Sequence, residues 1–190
     1  MKNIRLILTA CALTGVLTAC QSVPNTPIAQ TTALPNAPIK FTTTGKIGIT
    51  AKTADGTQGG SAFYAWAQEG ERFSIDLTGA LGIGATQIRY NGTTATLESE
   101  RTGLIEADSP EELLLSATGW YAPISQLPYW IVGRNAPSDD SKTLDTNGRL
   151  TTASNTGWTA NFEYDKHQRP SRLRITHQDG HRVVMTITHQ

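Results

Sequence analysis

From residue 40 onward, apolar and polar residues alternate with period two in one short run after another. Phe41, Ile47 and Ile49 share a parity, and Phe73, Ile75 and Leu77 alternate with Arg72, Ser74, Asp76 and Thr78. Ile88 and Tyr90, then Ala95 and Leu97, repeat the pattern. Later come Trp158, Ala160, Phe162 and Tyr164, then Leu173 and Ile175, then Val183, Met185 and Ile187. Each run reads as a strand with one apolar and one polar face. The runs are separated by Asp55-Gly56, Glu69-Gly70, Asn91-Gly92, Asn147-Gly148 and Asp179-Gly180. Such pairs suit tight hairpins because both positions accept positive φ, so the joined strands are antiparallel neighbours. The spacing predicts about eleven strands, six before residue 107 and five after 141. A sheet that long with one apolar face curls toward a barrel.

The pattern changes only between the two groups of strands. Ser109-Pro110-Glu111-Glu112 is a capping box with proline at the first helical position, and Gly119 is a natural stop after Leu113–Thr118. A second short helix follows Ser125, where Pro128 is tolerated in the first turn. Leu127, Trp130 and Ile131 fall at i, i+3, i+4 on one apolar face, and Gly133 ends it. Two short helices against a curled sheet suggest a lid over an open barrel mouth and an apolar cavity beneath it.

The first residues follow neither pattern. Lys2 and Arg5 precede an uncharged apolar run, Leu6 to Leu17, too short to span a bilayer comfortably. The run ends Leu17-Thr18-Ala19-Cys20, which resembles a bacterial lipobox. That resemblance implies that 1–19 is a lipoprotein signal peptide and that Cys20 is lipidated. Gln21, rather than Asp, then points by analogy to the outer membrane. Three acyl chains hold permanently where one holds only marginally. Residues 20–39 are a lipidated Pro/Thr-rich tether: Pro24, Pro27, Pro35 and Pro38 sit among Thr, Gln, Ala and Asn, which cannot form a core. Fully extended the tether reaches roughly 60 Å; as a flexible coil it averages about 25 Å. Residues 40–190 then form one domain.

Cleavage before Cys20 leaves 171 residues with 14 basic and 16 acidic side chains, a net charge of −2. No basic run points to nucleic acid. The only cysteines are Cys11, lost with the signal, and Cys20, so neither a disulfide nor a cysteine nucleophile is available. There is no Gly-x-Ser-x-Gly, His-Glu-x-x-His or P-loop string. His177 and His181 flank the Gln178-Asp179-Gly180 turn and can meet across it, but paired histidines at a surface turn are more often solvated than metal ligands. Asn91-Gly92-Thr93 reads more simply as a hairpin turn than as a glycosylation site. No enzyme, cofactor or metal is expected.

Several strings, spread in order over residues 41–190, together with the lipobox, resemble the LolB family of outer-membrane lipoprotein receptors. They are Phe63-Tyr64-Ala65-Trp66, Leu77-Thr78-Gly79-Ala80-Leu81-Gly82, Thr118-Gly119-Trp120-Tyr121-Ala122-Pro123, Leu127-Pro128-Tyr129-Trp130-Ile131-Val132-Gly133, Gly148-Arg149-Leu150 and Gly157-Trp158. Ala80, where the family usually has proline, and the extra glycine of Gly82-Ile83-Gly84 depart from the pattern. The resemblance implies an incomplete antiparallel β-barrel of about eleven strands covered by a helical lid. Its apolar cavity would accept the acyl chains of client lipoproteins from a LolA-like periplasmic carrier and pass them to the outer membrane, without nucleotide. The protein would be a monomer, lipid-anchored in the outer membrane and facing the periplasm. An anchored amphiphile-binding protein without transfer activity is the alternative.

On the residues alone, Leu81 either caps the core or touches the membrane from a glycine-rich loop. The resemblance favours a membrane contact by Leu81, Gly82 and Ile83. Periodicity does not separate core from cavity lining. The candidates for the acyl-chain cavity are Trp66, Phe73, Ile75, Leu77, Leu114, Leu127, Trp130, Ile131, Phe162, Ile175 and Met185, with Leu127, Trp130 and Ile131 favoured because a lid helix touches the contents.

Overall fold

The computed structural model describes residues 37–79 and 85–190. Six strands come first: β1 Lys40–Thr53, β2 Gly56–Glu69, β3 Arg72–Thr78, β4 Thr86–Tyr90, β5 Ala95–Ser99 and β6 Gly103–Ala107. Helix α1 (Pro110–Thr118), a 3-10 turn (Ile124–Gln126) and helix α2 (Leu127–Ile131) follow. The chain then returns to strands: β7 Ser141–Leu144, β8 Leu150–Asn155, β9 Trp158–Tyr164, β10 Pro170–His177, β11 Arg182–Thr186 and β12 Thr188–His189. Cys20 and the loop residues Leu81, Gly82 and Ile83 lie outside the described residues.

All strands pair antiparallel in the order β6-β5-β4-β3-β2-β1-β11-β10-β9-β8-β7, with β12 beside the lower half of β1. Two meanders thus meet where β1 pairs β11, with Ile47 opposite Met185 and Ile49 opposite Val183. Among the described residues strands β6 and β7 are free edges, so this is an incomplete barrel. The expected eleven strands become twelve because β1 has 14 residues and β11 only five; the chain breaks step at Ile187, and β12 pairs what remains of β1. The turn glycines at 56, 70, 92, 148 and 180 all take positive φ. Asn91 is committed to its turn: its Oδ1 accepts from the backbone N–H of Thr93 and Thr94 and from the Thr93 hydroxyl.

The helices sit over the concave face. Ser109 Oγ accepts the Glu112 N–H at 3.2 Å, a cap worth about 0.5–2 kcal/mol. Gly119, in the left-handed region at φ 78°, closes α1 by donating its N–H to the Leu115 carbonyl. Glu111 Oε1 accepts the Ser125 N–H at 2.9 Å and ties α1 to the 3-10 turn. Leu113, Ile124, Trp130 and Ile131 are buried against the sheet.

One glycine carries a demanding contact. A Cβ on Gly45 would stand 1.8 Å from the Thr186 carbonyl oxygen and 2.9 Å from the Tyr64 ring, and that carbonyl accepts the Tyr64 hydroxyl at 2.9 Å. Gly45→Ala is therefore expected to cost about 3 kcal/mol, the upper end of typical overpacking changes. That corresponds to a fall of about 6–12 °C in Tm for a domain of this size. Gly48, three residues on, has open space where its Cβ would go, so Gly48→Ala should melt near the wild type. Equal melts for the two variants would show that β1 yields freely at Gly45.

Candidate functional site

The concave face and the helical layer do not fill the space between them. A cavity of about 220 Å³ remains. This is far above the roughly 10–15 Å³ that a single water needs, and an apolar cavity tends to stay dry. The first meander supplies Ile47, Ile49, Ala62, Tyr64, Trp66, Ile75, Leu77, Ile88 and Leu97. The second supplies Trp158, Ile175, Val183 and Met185. The helical layer closes it with Leu114, Ala117, Trp120, Pro123, Ile124 and Leu127.

Its two ends differ. At the end holding the β2–β3 turn and the start of the domain at Ala37, aromatic rings form a floor. Phe41, Trp66, Phe73 and Tyr90 follow one another with centroids 6.2, 5.7 and 5.9 Å apart. Below them the Trp66 indole donates to Gln68 Oε1 at 2.8 Å, and Gln68 Nε2 donates to the Gly70 carbonyl at 2.7 Å. At the other end lie the stems of the loop joining β3 to β4, the β5–β6 turn and the β10–β11 turn. Here the wall turns hydroxylic, with Thr86, Ser99, Thr102 and Thr118. Tyr64 is buried in the wall between, and burial pushes its hydroxyl up to about 12.

Of the residues picked out along the chain, Trp66, Ile75, Leu77, Leu114, Leu127, Ile175 and Met185 line this cavity. Phe73, Trp130, Ile131 and Phe162 do not. Phe73 lies in the floor between Trp66 and Tyr90. Phe162 sits lower on the second meander, opposite Leu173 and stacked on Tyr164. Trp130 and Ile131 are 0% exposed and belong to the solid core under α2. The Trp130 indole donates to Asp139 Oδ2 at 3.2 Å, and that oxygen also accepts the Ala136 N–H at 2.8 Å. Burial holds the Asp139 carboxyl above the usual range despite both bonds. The loop residues Leu81, Gly82 and Ile83, and Cys20, fall outside the described residues. Tyr64, Ile88, Leu97, Trp120 and Trp158 line the cavity without having been singled out. The strand residues among them had a readable parity but not a readable depth along the barrel; Trp120 lies in the loop after α1, where alternation gives no face.

The histidines do meet. His177, Asp179 and His181 bring ligand-type atoms within 4.8 Å of one another. Both imidazoles already accept at Nδ1, His177 from the Asp179 N–H and His181 from the Lys52 N–H, each at 3.2 Å. The His181 ring stacks on Trp120 at 5.3 Å and the His177 ring leans on Trp158 at 4.9 Å. The cluster thus braces two tryptophans of the cavity wall.

The family model described as outer membrane lipoprotein LolB matches residues 39–189. A protein of Stutzerimonas stutzeri named outer-membrane lipoprotein LolB is 34% identical over 148 residues, covering 75% of this chain and 68% of that protein. One of the same name from Pseudomonas putida is 36% identical over 140 residues, covering 71% of this chain and 66% of that protein. The matched region therefore spans about two thirds of the length of these relatives. A solved LolA superfamily protein from Nitrosomonas europaea superposes at TM-score 0.43 with 12% identity, over 78% of this chain and 84% of that one.

Proposed function

The chain belongs to the LolB family of outer-membrane lipoproteins, and on that premise we propose that it is a lipid-anchored receptor for other lipoproteins. It takes a client's acyl chains from a LolA-like periplasmic carrier into its apolar cavity and releases them into the outer membrane. The observation that carries this reading is the cavity, an unfilled apolar space closed below by aromatic rings and covered by two helices. A wall made mostly of hydrocarbon and indole makes few demands on the part of the client beyond its acyl chains, which suits a receptor serving many clients.

The direction of transfer follows from burial. Each methylene taken from water is worth about 0.8 kcal/mol. A cavity shields part of a client's chains, while a bilayer takes all of them, so the client moves downhill without nucleotide. The receptor works as a monomer, since one chain walls the cavity, and it faces the periplasm where the carrier arrives.

The deciding experiment uses the mature chain carrying Cys20→Ala, incubated with a carrier loaded with client. A receptor strips the client from the carrier; a chain that only stores amphiphiles leaves the carrier loaded. The same variant tests the anchor. Cys20 precedes the self-contained unit that begins at Ala37, so Cys20→Ala is expected to stay folded and to fractionate as a soluble periplasmic protein. Recovery of that variant with outer membranes would place the anchor elsewhere. Binding of a fluorescent acyl probe is expected to change the emission of Trp66, Trp120 and Trp158, which line the cavity, and not that of the sealed Trp130.

A further inference from the structure

We propose that Ser99, Thr102 and Thr86 form a subsite for the carbonyl at the head of an acyl chain. The cavity therefore binds esters or amides of fatty acids tail-down, with the head at the β3–β4 loop end. This rests on the acyl-receptor reading above and adds an orientation and a chemical class to it.

The hydroxyls stand where an otherwise hydrocarbon wall ends. Thr86 opens β4, Ser99 closes β5 directly opposite it, and Thr102 lies in the turn that follows. Ser99 is 6% exposed and its side chain borders the cavity. Its Oγ accepts the Thr102 N–H at 3.1 Å and lies 2.7 Å from Thr102 Oγ1, with either hydroxyl able to donate. Two protons serve this pair. If Thr102 donates to Ser99, the Ser99 proton has only the cavity to face. If Ser99 donates to Thr102, the exposed Thr102 hydroxyl can pass its own proton to solvent or to the Gly103 carbonyl at 3.3 Å. In the first arrangement the buried Ser99 donor lacks a protein partner, and such a hydroxyl is costly. The Thr86 hydroxyl has no partner among the described residues. The other hydroxyls on the wall are engaged: Tyr64 donates to the Thr186 carbonyl at 2.9 Å and Thr118 to the Leu114 carbonyl at 2.7 Å.

An acyl chain is hydrocarbon that ends in a carbonyl, a pure acceptor. With its tail on the aromatic floor, its carbonyl meets the donor that the protein leaves without a good partner. A chain inserted head-first would bring that carbonyl against Trp66 and Ile75 and leave the hydroxyls facing methylenes.

The test displaces an alkyl fluorophore from the mature chain carrying Cys20→Ala, using a fatty acid methyl ester and an alkane of equal heavy-atom count. Wild type should prefer the ester by about tenfold, the worth of one or two net hydrogen bonds. In Ser99→Ala/Thr102→Val, and to a smaller extent in Thr86→Val, that preference should shrink to about twofold or less. An equal ester-to-alkane ratio in wild type and variants overturns the subsite. If wild type binds neither competitor, the acyl-cavity reading itself falls, and the subsite with it. A diacylglyceryl-cysteine peptide and a phospholipid both carry such carbonyls. Weaker competition by either one against the variants supports the subsite and names its source; undiminished competition by both overturns it.

Discussion

Ala117→Trp is expected to abolish acyl-probe binding while leaving Tm within a few degrees of the wild type. Ala117 lies in the last turn of α1, half-buried, and borders the cavity. A tryptophan there projects into empty space rather than into packed side chains. An indole occupies much of a cavity of about 220 Å³. The loss of helix propensity is a few tenths of a kcal/mol, and filling an apolar void offsets it. Probe affinity should fall at least tenfold, read from the extrinsic fluorophore because the change adds an indole. Stripping of clients from the carrier should fail with it. Normal probe binding by a folded variant would mean that acyl chains occupy some other surface.

The second large effect is expected from Leu81→Glu, and it separates accepting a client from delivering one. The stems of the Leu81 loop, Gly79 and Ala85, lie at the hydroxylic end of the cavity, so a membrane contact there would place the cavity's contents beside the bilayer. One leucine contributes about 1.5–3 kcal/mol on full burial, too little to anchor the protein but enough to bias how that end meets lipid. A carboxylate in the apolar layer must be desolvated or protonated. Acceptance should therefore stay near wild type while insertion of the client slows severely, and Leu81→Phe should remain active. If Leu81→Glu instead melts early and loses both steps, Leu81 is core; normal insertion sinks the membrane contact altogether.

The domain itself begins at the opposite end. Ile39 accepts the Gly70 N–H at the floor of the barrel, and β3 runs seven residues, about 23 Å, from there to Thr78. The 16 residues between Cys20 and Ala37 span at most about 55 Å. If Cys20 carries the proposed anchor, that is enough chain for the loop end to reach the same membrane.

The strands were legible because alternation reports a face directly, and α1 because its cap and stop are local chemistry. Position along the barrel axis was not legible. Phe73 and Ile75 share a parity and a strand, yet one lies in the floor and the other on the cavity wall. Only pairing register, Phe73 with Tyr90 and Ile75 with Ile88, separates them. Trp130 shows a different limit. Its helical face was readable, but the carboxylate that holds its indole comes from Asp139, beyond the end of the helix. The cavity itself is a difference between the space enclosed and the side chains available to fill it, and neither quantity belongs to any one stretch of sequence.

The pairing of β1 with β11 and β12 also dictates when the protein can finish folding. The first meander joins neighbours in sequence, so it can zip up as the chain is exported. The other edge of β1 waits for partners about 140 residues later, such as Thr186 beside Lys46 and Thr188 beside Thr44. Closing so long a loop is slow, and until then a 14-residue strand offers a bare edge to any neighbouring chain. The last nine residues, from Arg182 to Gln190, therefore act as the latch of the whole sheet. A chain cut short by that much would keep most of its cavity wall, yet remain an aggregation-prone half-sheet.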